Sequence, residues 1–258
     1  MLTIRKAQMD VFRRVARQNF EGEMRAHLAQ FSPSHCQAVG DGRMREVIRF
    51  GSGRAEGYGF TLRGPVRLYL ELMLLFGGHF DTDPQYPWAS EILTTQDRGA
   101  QMQRAHRLYE QSLAYRRQAD GPADAYMVAA LNKMAILARY PQVISAEHFI
   151  ADMLLQIEYM YPEKAAYVGR DGFATLIREG RDVAQRLSFA SATDAVLFVV
   201  LMVAFGCGCC ADPLYPWIAG TLSDGSIADP AARSAYLERN VVMWLERAAA
   251  DLDVAAGA

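Results

Sequence analysis

The chain is short of the residues from which catalytic and metal centres are most often built. Its 258 residues include four cysteines and five histidines. Cys207, Cys209 and Cys210 fall within four residues, and only Cys36 lies elsewhere, so no second ligand pair closes a structural zinc site and no disulfide scaffold can be drawn. They read as small buried thiols in a reducing compartment, with an S-acylated cluster as the functional alternative. Charge of one sign is missing too. The 27 basic residues face 29 acidic ones, a net charge of −2, which leaves no basic field for a phosphate backbone and removes nucleic acid as an expected partner. Long apolar runs are also missing: the longest, Ala195 to Phe205, covers about half of the roughly 20 residues a bilayer span needs and reads as a buried helix. Arg5 and Lys6 interrupt the region where an export signal would need continuous apolar residues, so the expected location is the cytoplasm. Gly-x-Ser-x-Gly and His-Glu-x-x-His do not occur, and the glycine-rich stretch Gly51 to Gly59 lacks the Gly-Lys-Ser/Thr ending of a phosphate loop. No catalytic residue, metal ligand or cofactor is therefore assigned.

What the sequence does hold is a repeat at an offset of 129 residues. Asp83-Pro84-Gln85-Tyr86-Pro87-Trp88 returns as Asp212-Pro213-Leu214-Tyr215-Pro216-Trp217. The match runs backwards without a gap. Leu68, Leu72, Met73, Phe76 and Gly77 meet Leu197, Leu201, Met202, Phe205 and Gly206, while Ile48, Arg49, Gly51, Ala55 and Phe60 meet Ile177, Arg178, Gly180, Ala184 and Phe189. About 21 of the 74 positions from 20 to 93 equal their partners, a density that chance does not sustain in a gapless register. Two similar multi-helix halves are expected, 1–121 and 122–258, joined at the Gly121-Pro122 break and free to pack as one body.

Hydrophobic periodicity predicts an all-α fold. Helical patterns cover 3–30, 42–57, 66–77, 86–93 and 99–118 in the first half. The second gives 124–139, 145–160, 171–187, 194–206, 215–223 and 229–253. The shared stripe Leu68, Leu72, Met73 and Phe76 reads as core. Pro65 in one copy and the Thr193-Asp194 pair in the other supply helix-start chemistry, and Gly77 and Gly206 stop the helix. In the Asp-Pro-x-Tyr-Pro-Trp corner the first proline suits a turn and the second opens a new helix.

Two features are candidates for partner contact. Tyr86, Trp88, Tyr215 and Trp217, held by the turn residues Asp83 and Asp212, have the composition of interface anchors but could equally lock the corner into the core. Arg67 and Glu71, a charged pair on one helix face, are replaced in the second copy by Val196 and Val200, so that face needs cover from the first half, another subunit or a partner. Arginines 13, 14 and 17, and 104, 107, 116 and 117, read as solvated faces, with an acidic protein as the alternative. A metal-dependent hydrolase built on His79, Asp81 and Asp83 is the enzymatic alternative, and a self-assembling structural protein is a third reading.

The stretch Leu68 to Trp88, with the Ile4-Arg5 opening, resembles a family of bacterial proteins encoded among type VI secretion genes, near spike and effector genes. The resemblance implies a non-catalytic, cytoplasmic binding protein: an effector adaptor or chaperone, or an immunity protein. Its partner would be a secretion effector, toxin or spike component, and homo-oligomers remain possible. The second copy departs from the pattern at Cys207, Cys209 and Cys210.

Overall fold

A computed structural model describes residues 6–95, 101–140, 144–189, 191–224, 227 and 229–256. The Ile4-Arg5 opening lies outside them. Among the described residues there are twelve α-helices and no strand. In the first half these are α1 (Lys6–Phe31), α2 (Pro33–Val39), α3 (Asp41–Gly57), α4 (Arg63–Phe76), α5 (Pro87–Thr94) and α6 (Gln101–Tyr115). After a π-helical turn (Arg116–Asp120) come α7 (Ala125–Arg139), α8 (Phe149–Met160), α9 (Pro162–Arg186), α10 (Ala192–Phe205), α11 (Pro216–Ser223) and α12 (Pro230–Ala256).

The bounds repeat at the sequence offset. α4 and α10 begin and end 129 residues apart, and so do α5 and α11. α8 occupies the counterpart of the second half of α1, and α12 starts at the counterpart of the first residue of α6. Two segments that hydrophobic pattern misses are α2 and the start of α9. Each opens on a proline in the first turn, Pro33 or Pro162, and each is too short to show a period. α9 then turns at Gly169 (φ +77°), where α2 and α3 are parted by Gly40 (φ +84°).

α10 is the buried axis. Every residue from Ala195 to Val203 is inside, which matches its all-round apolar sequence. Ser191 and Asp194 start it with a reciprocal capping box, the Asp194 N–H donating to Ser191 Oγ at 3.0 Å and the Ser191 N–H to Asp194 Oδ2 at 3.1 Å. α4 keeps its outer side polar: Arg67 pairs with Glu71, which also bonds His27 on α1 at 2.6 Å. The cover for Val196 comes from within the second half, from α7, and not from the first half, another subunit or a partner. α7 packs on both α10 and α12, and its Leu137 and Ala138 border a crevice shared with Val196 and Leu197. Burying Val196 and Val200 is worth about 1.5–3 kcal/mol each. One hydrophobic core, from Met24 to Ala249, takes in side chains of both halves.

Candidate functional site

The two Asp-Pro-x-Tyr-Pro-Trp corners meet at the centre of the molecule. Each aspartate first braces its own turn: the Gln85 N–H donates to Asp83 Oδ1, and the Leu214 N–H to Asp212 Oδ1, both at 2.9 Å. The second oxygen of each crosses to the other corner. Cys207 N–H donates to Asp83 Oδ2 at 2.7 Å, and Gly78 N–H donates to Asp212 Oδ2 at 2.6 Å. The chains approach closely here because the helix-ending residues lack side chains. A Cβ on Gly77 (φ +93°) would sit 2.8 Å from the Phe205 carbonyl oxygen, and one on Gly206 (φ +92°) 3.3 Å from that of Phe76. Burial raises the Asp83 and Asp212 carboxyls against the opposing pull of these N–H donors.

The aromatic residues repeat with equal geometry. Phe76 lies 4.9 Å from Tyr86 and 5.8 Å from Trp88, and Phe205 lies 4.9 Å from Tyr215 and 5.8 Å from Trp217. Tyr115 closes the first cluster, 5.2 Å from Tyr86; its counterpart Trp244 stacks on Trp217 at 5.7 Å. Each tyrosine also meets a nitrogen base from the opposite half. Lys164 Nζ stands 5.4 Å over Tyr86, and the ring of His35, at the position matching Lys164, lies 5.6 Å from Tyr215. Lys164 is buried, donates to the Val203 carbonyl at 3.3 Å, and feels Asp83 and Asp120. Burial still outweighs those carboxylates and pushes its ammonium down to about 8. His35 is pushed down to about 4 by burial.

The eight residues singled out for partner contact thus face inwards. Asp83, Tyr86, Trp88, Asp212, Tyr215, Val196 and Val200 are buried, and Trp217 is partly buried under Trp244. A docked partner would reach none of the buried seven without opening the core, so the corners serve the fold.

His79 feels Asp81 and Asp83, but the three do not form a metal-holding group. Asp81 is held by Arg54 through Nε and Nη2 at 2.6–3.1 Å, and Asp83 is committed to the turn and to Cys207. No group of three His, Cys, Asp or Glu side chains among the described residues could hold a metal ion. Cys207 and Cys210 have the spacing of a redox dithiol, but burial beside Asp83 pushes the Cys207 thiol up. Cys209, in contact with Cys210, is raised as well, while that bond and Arg186 lower Cys210.

No protein-family model, curated protein or solved structure matches this chain.

Large apolar side chains do stand in solvent on α7 and α8. Ile136 and Tyr140 are 63% and 68% exposed on one side of α7; Leu155 and Tyr159 are 58% and 70% exposed on one side of α8. Lys133, one turn before Ile136, ties the two strips together: its Nζ donates to the Tyr159 carbonyl at 3.0 Å and lies 4.9 Å over the Tyr159 ring. Periodicity alone could not single these four out, because an apolar residue at helical spacing reads as core until its neighbours are placed. Among the described residues no helix is long and apolar enough to cross a membrane.

Proposed function

We propose that the chain is a non-catalytic protein-binding module, an adaptor or chaperone for a type VI secretion effector or spike component, or an immunity protein for a co-encoded toxin, acting in the cytoplasm. The observation that carries the reading is the exposed α7–α8 surface of Ile136, Tyr140, Leu155 and Tyr159. Scattered single apolar residues are ordinary on a protein surface, but four large ones on two adjoining helix faces favour a protein interface. The titratable groups point the same way. Asp81, Asp83, Asp120 and Asp212 are each committed to partners inside the protein, as a scaffold requires. The resemblance of Leu68 to Trp88 to proteins encoded among secretion genes supplies the class of partner. We further infer that the halves descend from one duplicated unit.

The test is cross-linking of the purified chain to the proteins encoded beside its gene, with mass-spectrometric mapping and identification of any that link. Cross-links should centre on α7 and α8 and disappear in Ile136→Glu/Tyr159→Glu, whose helical circular dichroism should be unchanged. Absence of any cross-linked partner, or links that survive in the variant, would reject the reading.

A further inference from the structure

A second surface lies on α1, the first helix of the chain. Val11, Phe12 and Val15, spanning little more than one turn of α1, are 45%, 61% and 46% exposed. The same helix continues through Ala16 and Phe20 into a groove of about 550 Å³ between α1 and the α3–α4 junction, floored by the buried side chains of Phe60 and Val66. The volume falls within the range of ligand-binding clefts. The rim carries unused chemistry. Arg63 is taken by Glu23, but Arg17 on the rim and Arg14 one turn away are exposed and make no ion pair among the described residues. Ser52, which also lines the groove, has a buried Oγ without a hydrogen-bond partner. The repeat adds an internal comparison. Phe149, at the position matching Phe20, is 2% exposed, whereas Phe20 is only partly covered.

We propose that the groove and the exposed side of α1 form a docking site for an amphipathic helix of a partner protein, apolar side inward, with an acidic side chain set over Arg14 and Arg17. A helix fits because its i, i+4, i+7 side chains can follow the Phe12, Ala16 and Phe20 positions of α1, and the free Arg14 and Arg17 select an acid on the α1 side of the groove, with Glu56 of α3 facing its other side. A lipid surface is the poorer occupant: the floor is concave, and Glu56 on the rim would face anionic headgroups. A second copy of α1 would bring its own arginines against Arg14 and Arg17. The site is separate from the α7–α8 surface, and either can fail without the other.

The experiment is selection of binders to the full chain from a displayed library of helical 16-residue peptides, followed by fluorescence anisotropy of the enriched peptides. Enriched sequences should be amphipathic with Asp or Glu beside the apolar stripe. Phe12→Ala and Arg17→Glu, both at exposed positions, should each weaken them at least tenfold, while Ile136→Glu/Tyr159→Glu leaves affinity within twofold. Four results would overturn the proposal: enrichment without acidic residues; binding indifferent to Arg17→Glu; sedimentation with phosphatidylglycerol vesicles that Phe12→Ala abolishes; or a dimer in solution that Phe12→Ala dissociates.

Discussion

Asp83 and Asp212 each complete the other's corner. Asp83 accepts the Cys207 N–H at 2.7 Å, and Asp212 accepts the Gly78 N–H at 2.6 Å, so the exit of each central helix is satisfied by the turn that follows the other. A buried N–H left without its acceptor costs about 1–3 kcal/mol. Asp83→Ala and Asp212→Ala should therefore each destabilise the protein by about 2–4 kcal/mol, since each also strips its own Asx turn. The double variant should cost less than the sum, because both act on one junction. Urea denaturation of the four proteins checks this, and strict additivity would contradict it.

The close approach of the chains gives a ranking among glycines. Gly77 has a positive φ and no room for a Cβ, while Gly40 has a positive φ but open space around it. Gly77→Ala should cost at least 2 kcal/mol more than Gly40→Ala, which bears only backbone strain of roughly 1 kcal/mol. Thermal unfolding of the two variants measures the difference; equal losses would show that the junction yields.

Buried Lys164 makes stability depend on alkaline pH. Its folded value of about 8 lies below the ordinary 10.5, so between those limits the unfolded chain binds more protons and stability from this group rises with pH. Below pH 8 both states are charged and the penalty is constant. The buried tyrosines act oppositely above about pH 10, where raised phenols such as Tyr86 and Tyr215 keep their protons only in the folded state. The raised thiols of Cys207 and Cys209 pull the other way over the same interval, so the effect is read as a difference: stability of Lys164→Met should lose an upward slope between pH 8 and 10 relative to the parent in denaturant titrations. A slope unchanged by the substitution would remove Lys164 as its source.

His35 governs the acid side. With its folded value near 4 against an ordinary 6.5, its contribution is complete above pH 6.5 and declines as pH falls through that interval. His35→Phe should retain the tilted ring contact with Tyr215 and lose that part of the acid sensitivity. Asp83, Asp120 and Asp212, raised by burial, oppose it, so the comparison has to be made at matched pH rather than from the wild-type curve alone.

Val196 and Val200 tell which part of the fold was legible beforehand. The change from Arg67 and Glu71 to two valines announces a covered face, and over Val196 the cover is α7, a helix of the same half that the periodicity places at 124–139 without saying what it touches. Helix positions were readable because apolar spacing is a local property. The short α2 was not, since seven residues carry no period. The corner motif was readable as a motif, but its inward direction was not: Tyr86 and Trp88 have the same composition in a core as in an interface. The reciprocal bonds of Asp83 and Asp212 join residues more than 120 apart in sequence, which no spacing rule anticipates.

The measurement to make is calorimetric titration of the purified chain with each protein encoded beside its gene, to test whether one of them is the partner proposed for the α7–α8 surface. The account predicts one stoichiometric partner whose affinity falls at least a hundredfold, about 2.7 kcal/mol, in Ile136→Glu/Tyr159→Glu and stays within threefold in Trp88→Phe, a core change that leaves the surface untouched. Failure of every candidate to bind, or equal binding by the α7–α8 variant, would contradict it.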